Sequence, residues 1–224
     1  MIPFKDDNPT RTIPVVTIAF IALNIFVFIV QLMSDAEQGR LAYTFGAIPS
    51  SMFGSGPAQP VPPYITVFSS MFMHGGLFHI GGNMLYLWIF GNNVEDALGH
   101  LSFIVFYLFC GIAAALSHAL LNPSSTVPMI GASGAISGVL GAYLVLFPHA
   151  RVHTLVFLGF FVQVIRVPAL IVIGFWAIIQ VLNGLIAQGM AGQGGVAWFA
   201  HVGGFVAGLV TIRLWPKRRM QRWS

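Results

Sequence analysis

The sequence predicts an all-α membrane protein, a bundle of six transmembrane helices with N and C termini cytoplasmic. Three observations carry that prediction. Of 224 residues, 57% are hydrophobic and only 7% charged, with a mean hydropathy of +0.84. A soluble domain carries roughly 25% charged residues, so this composition does not clothe a water-facing surface. Apolar runs long enough to cross a bilayer recur along the chain. Threading six spans also sorts the basic residues: Lys5, Arg11, Arg151, Arg166, Arg213, Lys217, Arg218, Arg219 and Arg222 fall on the terminal side, and Arg40 alone falls opposite. That is the positive-inside pattern.

The net charge of +4 and pI near 9.6 invite a nucleic-acid reading. Half of the basic residues, however, sit at the C-terminal membrane exit, and no basic stripe with interleaved aromatics runs elsewhere. No nucleic-acid partner is expected; the lipid bilayer is, with the chain as a multi-pass protein of the bacterial cytoplasmic membrane. The single cysteine, Cys110, lies inside an apolar run, which leaves neither a disulfide framework nor a CxxC metal site.

In chain order, residues 1–12 read as a polar cytoplasmic segment, 13–215 as the six-span domain and 216–224 as a basic cytoplasmic tail. Span one, Ile13–Met33, is a retained anchor rather than a cleaved signal, with Asn24 and Gln31 as interior hydrogen-bonding residues. The connection Ser34–Met73 holds five prolines but is too apolar for a solvated linker, so a structured loop partly in the membrane interface is expected. Span two covers Leu77–Phe90, followed by the segment Gly91–Gly99. Span three is Leu101–Leu121, the Pro-containing loop Asn122–Gly131 follows, and span four is Ser133–Phe147. Residues 154–165 are apolar but too few to span, and are expected at the interface or packed on the bundle. Span five is Pro168–Ala187. A glycine-rich loop at Gly189–Gly195, expected to be flexible and to move with span five, precedes span six, Trp198–Trp215.

Spans two, four and six run in the same direction, so their first turns share one extracytoplasmic depth. Those turns hold His79 and Asn83 on one helix face, Ser133, and His201. Polar and ionisable side chains at membrane depth are costly, and are functional candidates by default. Spans two and four are short: about fifteen helical residues cover roughly 22 Å against a hydrocarbon core of roughly 30 Å. The shared layer is therefore expected in a recess open to water.

The chemistry then follows residue by residue. A free serine hydroxyl is a weak nucleophile and needs a base, for which His201 is the candidate. Gly134 and Gly138 on span four, with Gly204 and Gly208 on span six, are small-xxx-small pairs that permit close helix approach. Ser133 at a helix start leaves backbone N–H groups free to meet an oxyanion, and His79 and Asn83 offer side-chain donors. No Asp or Glu lies within any span, so the inventory permits a Ser–His dyad rather than a triad. His74 and His79 lack an HExxH pattern or an acidic ligand, so no metal and no cofactor are expected.

Each residue also has a plainer reading. A serine among glycines in a membrane helix is usually packing, and an isolated interior histidine is usually structural. His100, His149 and His153 read as solvated or snorkelling, His118 as structural, and Gln180, Asn183 and Gln188 as interhelical glue. Trp198 and Trp215 read as interfacial anchors.

Four motifs together resemble the rhomboid family of intramembrane serine proteases over about residues 10–216. They are Gly131-Ala132-Ser133-Gly134, the run Ala200-His201 with Gly204 and Gly208, His74/His79/Asn83, and Gly91/Glu95/Gly99. The resemblance implies a Ser133–His201 dyad, with an oxyanion site formed by the Ser133 N–H, His79 and Asn83. It also implies substrates that are membrane proteins cleaved in or near a transmembrane segment. Two positions depart from the family's pattern. Many members carry Trp-Arg in the first loop, where this chain reads Tyr64-Ile65-Thr66. Some place a tyrosine four residues after the nucleophile, packed on the base, where this chain has Ser137. A non-catalytic member acting as a membrane binding or chaperone protein is the alternative. A transporter ranks third, because intramembrane carboxylates and an internal repeat are both lacking.

Overall fold

The computed structural model describes residues 2–34, 38–159, 161–189 and 196–216. The basic tail from Lys217 onward and residues 190–195 of the glycine-rich loop lie outside them. A strand β1 (Ile2–Asp6) leads into the helix α1 (Val15–Met33). The first loop is built, as expected, from short elements: α2 (Gln38–Phe45), α3 (Pro49–Met52), α4 (Pro63–Ser69) and a 3-10 turn at Ser70–Phe72. Then follow α5 (Leu77–Tyr86), a π turn at Leu87–Gly91, α6 (Asn92–Leu98) and α7 (His100–Leu121). After α8 (Ser133–Leu146) come the strands β2 (Arg151–Leu158) and β3 (Phe161–Pro168), then α9 (Ala169–Gly189) and α10 (Trp198–Thr211).

Three helices, Val15–Met33, His100–Leu121 and Ala169–Ala187, are long and apolar enough to cross a membrane, while Ser133–Leu146 and Trp198–Thr211 are shorter apolar helices. The short helix α8 is innermost. Every residue of α8 from Gly134 to Tyr143 is buried, and α7 covers it with the fully buried rings of Phe103, Phe106 and Tyr107. Glycine sets how closely α8 meets α10. A methyl group on Gly204 would strike the Gly134 carbonyl, one on Gly208 the Gly138 carbonyl, and one on Gly141 the Phe205 carbonyl. These helices pack backbone to backbone, the arrangement small-xxx-small spacing permits.

Three expectations need correction. The protein is not all-α: residues 154–165 belong to a hairpin, and the N-terminal segment 1–12 supplies a third strand, giving the antiparallel order β1-β2-β3. The segment Arg151–Pro168 is rich in Val, Thr, Ile and Phe, which favour strands. Leu158 pairs with Phe161, and Gly159 after it has φ +61°. Span two, secondly, does not end at Phe90. Helical backbone continues from Leu77 through the π turn to Leu98, roughly 33 Å at 1.5 Å per residue, so this span is not short. The short helices are the fourth and the sixth, the latter ending at Thr211 rather than Trp215.

The Gly91/Glu95/Gly99 motif explains how the sheet end is fastened. The α1 helix begins after Pro14 with no side-chain cap of its own. Glu95, fully buried, supplies one: its carboxylate accepts from Val16 N–H (2.9 Å), Thr17 N–H (2.7 Å), Thr17 Oγ1 (2.7 Å) and His100 Nδ1 (2.6 Å). A carboxylate at a helix N-terminus meets unpaired donors and the positive end of the macrodipole. A Cβ on Gly91 would lie 3.2 Å from Thr17 Oγ1, so glycine there lets α1 seat, and Gly99 at φ +83° makes the break between α6 and α7. Next to it Asp96 accepts from Thr12 N–H (3.0 Å) and Thr12 Oγ1 (2.6 Å). His100, read as solvated, is thus bonded to Glu95. His153, likewise read as solvated, holds Asp7 at 2.6 Å. At the same end Tyr143 donates to the buried Asp6 at 2.5 Å, tying α8 to β1.

Candidate active site

The opposite end of α8 begins at Ser133, as the sequence indicated. Its approach is tightly determined. Gly131 has φ +129°, a conformation L side chains rarely adopt. A Cβ there would also sit 2.7 Å from His79 Nε2 and 3.5 Å from Ser133 Oγ, so the glycine lies between the two side chains. The first loop holds this segment in place: Gly131 N–H donates to Ser70 O (2.8 Å), Ala47 and Met129 exchange backbone bonds (3.0 and 2.8 Å), and Ser50 N–H donates to Ser125 O (3.0 Å). The first loop is therefore a strap over the loop that carries the nucleophile candidate.

His201, in the first turn of α10, lies with Nε2 2.7 Å from Ser133 Oγ. This is the contact that the shared-depth reasoning anticipated. His79 and Asn83, on α5, border the same cavity of about 1560 Å³ together with Ser133 and His201. All four predicted residues meet there. The Gly75 N–H donates to His79 Nδ1 (3.3 Å), so in the neutral ring the proton is on Nε2, the atom facing Gly131. Asn83 is buried, and its Nδ2 has no acceptor among the described residues. His79 and Asn83 thus each carry a side-chain N–H and line the same cavity as Ser133 at the start of α8.

His74 plays a different part. Its backbone is clasped by the Gln31 amide, which donates to His74 O (3.1 Å) and accepts from His74 N–H (3.0 Å). Its ring packs edge-on against His79 at 5.1 Å. Burial, with the adjacent His79 second, pushes the His74 imidazole down to about 4, so it stands neutral beside the site. Gln31 thus bonds between segments as expected, whereas Asn24 bonds within its own helix, to Phe20 O (2.7 Å).

Two side chains were read too blandly. Gln180 of α9, read as interhelical glue, does bond between helices, but its partner is the candidate base: Oε1 lies 2.8 Å from His201 Nδ1. Trp198, taken as an interfacial anchor, stands edge-on to His201 at 6.1 Å, and Trp176 of α9 lies at 6.2 Å on another side. Ser137 does not reach the base: its hydroxyl donates back to Ser133 O at 2.6 Å. A period argument on span five marks Gln180 and Trp176, four apart, as one face, but nothing in the sequence says which neighbour that face meets. No group of three or more His, Cys, Asp or Glu able to hold a metal occurs among the described residues.

The Rhomboid domain model matches residues 62–218. This chain belongs to the rhomboid family. Among curated rhomboid relatives it is 34% identical over 151 residues to the mitochondrial Rhomboid protein 1 of Saccharomyces cerevisiae, covering 65% of this chain and 40% of that one. It is 32% identical over 132 residues to the Rhomboid protease GluP of Bacillus subtilis (58% and 24%). It is also 31% identical over 146 residues to the mitochondrial presenilin-associated rhomboid-like protein of Bos taurus (63% and 35%). The chain thus spans well under half the length of these relatives. They include mitochondrial proteins as well as a bacterial one, and so do not single out a bacterial cytoplasmic membrane.

Proposed function

We propose that this rhomboid protein is an intramembrane serine endopeptidase that hydrolyses peptide bonds in or near transmembrane segments of other membrane proteins. The observation that carries the proposal is the 2.7 Å contact between Ser133 Oγ and His201 Nε2, in a cavity also bordered by His79 and Asn83. In the first half-reaction the Ser133 O–H proton passes to His201 Nε2 as Oγ bonds to the scissile carbonyl carbon. The carbonyl oxygen takes the negative charge and meets the His79 Nε2–H, the Asn83 amide and the Ser133 N–H. Collapse breaks the C–N bond, and His201 returns the proton to the leaving amine. Water then repeats the sequence on the acyl-enzyme, releasing the acid and restoring Ser133. The chain's own side chains account for each proton, and the reading needs neither metal nor cofactor.

The reading includes a six-span, multi-pass arrangement in a lipid bilayer, with both termini cytoplasmic and the site opening to the extracytoplasmic side. Its support is that Lys5, Arg11, Arg151 and Arg166 share the sheet end of the molecule, while Ser133 and His201 lie at the far ends of α8 and α10. The test is cleavage of single-span substrates in proteoliposomes, together with labelling by a fluorophosphonate probe. Ser133→Ala and His201→Ala are expected to abolish both while remaining folded. Undiminished cleavage by Ser133→Ala refutes the proposal, and a folded wild-type protein that neither cleaves nor labels supports a non-catalytic binding protein instead.

A further inference from the structure

We infer that Gln180 is a third, uncharged member of the site, a positioning residue that fixes the tautomer and ring orientation of His201. The inference rests on the proposed role of His201 as base. The argument begins with which way the Gln180 amide faces, since its oxygen and nitrogen are alike in shape. Its Nε2 stands 3.2 Å from the Trp176 carbonyl oxygen, which only accepts. The nitrogen therefore belongs there, and the oxygen is the atom 2.8 Å from His201 Nδ1. A carboxamide oxygen only accepts as well, so His201 Nδ1 carries the hydrogen. In a neutral imidazole Nε2 is then an acceptor, and Nε2 is the atom that faces the Ser133 hydroxyl at 2.7 Å. One glutamine anchored to its own helix thus sets the protonation pattern a general base requires.

The surroundings agree. Gln180 is 6% exposed, and its hydrogen bond to α10 goes to His201. The position four residues after the nucleophile is Ser137, whose hydroxyl is spent on Ser133 O, so that position does not hold the ring. Trp176 and Trp198 bound the imidazole on two other sides without offering it an acceptor. The oxygen of Gln180 is the acceptor on Nδ1. Because Gln180 belongs to α9 and Ser133 to α8, the base is oriented only while α9 is seated against α10.

Three measurements test this on the full chain. In ¹⁵N-histidine spectra of the wild-type protein at neutral pH, His201 is expected as the Nδ1–H tautomer. An Nε2–H signal overturns the inference without touching the assignment of Ser133. Gln180→Met keeps the side-chain length but offers no comparable acceptor, and is expected to lower kcat roughly ten- to hundredfold with KM changed less than twofold. Gln180→Glu restores an acceptor oxygen, and is expected to recover most of that loss. Equal kcat for wild type and Gln180→Met, with Ser133→Ala inactive, refutes the positioning role alone. Activity in Ser133→Ala refutes the underlying reading.

Discussion

Replacing Glu95 with glutamine tests the cap on α1 where it is most exposed to refutation. The two carboxylate oxygens each accept two hydrogen bonds: Oε1 from Val16 N–H and His100, Oε2 from Thr17 N–H and Thr17 Oγ1. Glutamine keeps one such oxygen and turns an NH2 group toward the other pair of donors. The Thr17 hydroxyl can rotate and accept from that NH2, which leaves one backbone N–H without a partner in a fully buried site. An orphaned buried donor costs about 1–3 kcal/mol, and the lost charge at a helix N-terminus adds about 0.3–1 kcal/mol. The expected destabilisation is therefore about 1–4 kcal/mol, an appreciable share of the roughly 5–15 kcal/mol typical of a folded protein. Unfolding in mixed detergent micelles with increasing SDS fraction, followed by circular dichroism, measures it. Asp96→Asn is the internal control, because its bonds to Thr12 are partly exposed and are expected to yield less than half the effect. A Glu95→Gln loss below about 1 kcal/mol, or one equal to that of Asp96→Asn, would show that α1 is not held by this carboxylate.

The remaining predictions concern the helix seam and the sheet end. Gly204→Ala drives a methyl group into the Gly134 carbonyl, so α8 and α10 must separate and Ser133 labelling by a fluorophosphonate is expected to slow at least about a hundredfold. Gly174→Ala on α9 meets nothing within 4 Å and is expected to be neutral or stabilising by up to about 1 kcal/mol, so equal effects of the two substitutions would contradict the seam. Burial raises the Asp6 carboxyl above the ordinary carboxylate range, opposed by the bond from Tyr143. A raised folded-state pKa means stability fully present below about 3.8 and lost as pH climbs through the folded value. Asp6→Asn escapes that loss, so its stability relative to wild type is expected to improve from pH 4 to pH 8. A constant difference across that range would refute the assignment.

Much of the site was legible because its cause is topological. Three helices running in one direction bring their first turns to one depth, and the residues in those turns can be read from spacing alone. Ser133, His201, His79 and Asn83 required nothing more. The glycine seam was legible for a similar reason, since small residues four apart have few other uses in an apolar helix. Gln180 was not legible, because a lone glutamine in an apolar helix shows its face but not its partner. The strands were missed because Arg151–Pro168 was judged by length against a membrane span, when its β-branched residues and Gly159 already suggested a hairpin. The cap by Glu95 was hidden by separation: it stands 78 positions after Thr17, and local capping signals do not reach that far. The continuation of α5 through a π turn escaped because Gly91-Asn92-Asn93 reads as a stop.

The strap from the first loop bears on the order in which the candidate site is assembled. Ser70 and Ala47, which hold the Gly131 segment, are synthesised well before it, so the serine emerges into a seat already prepared. His201, by contrast, belongs to the last helix described. The contact between Ser133 and His201 therefore depends on α10 packing against the bare glycine backbone of α8.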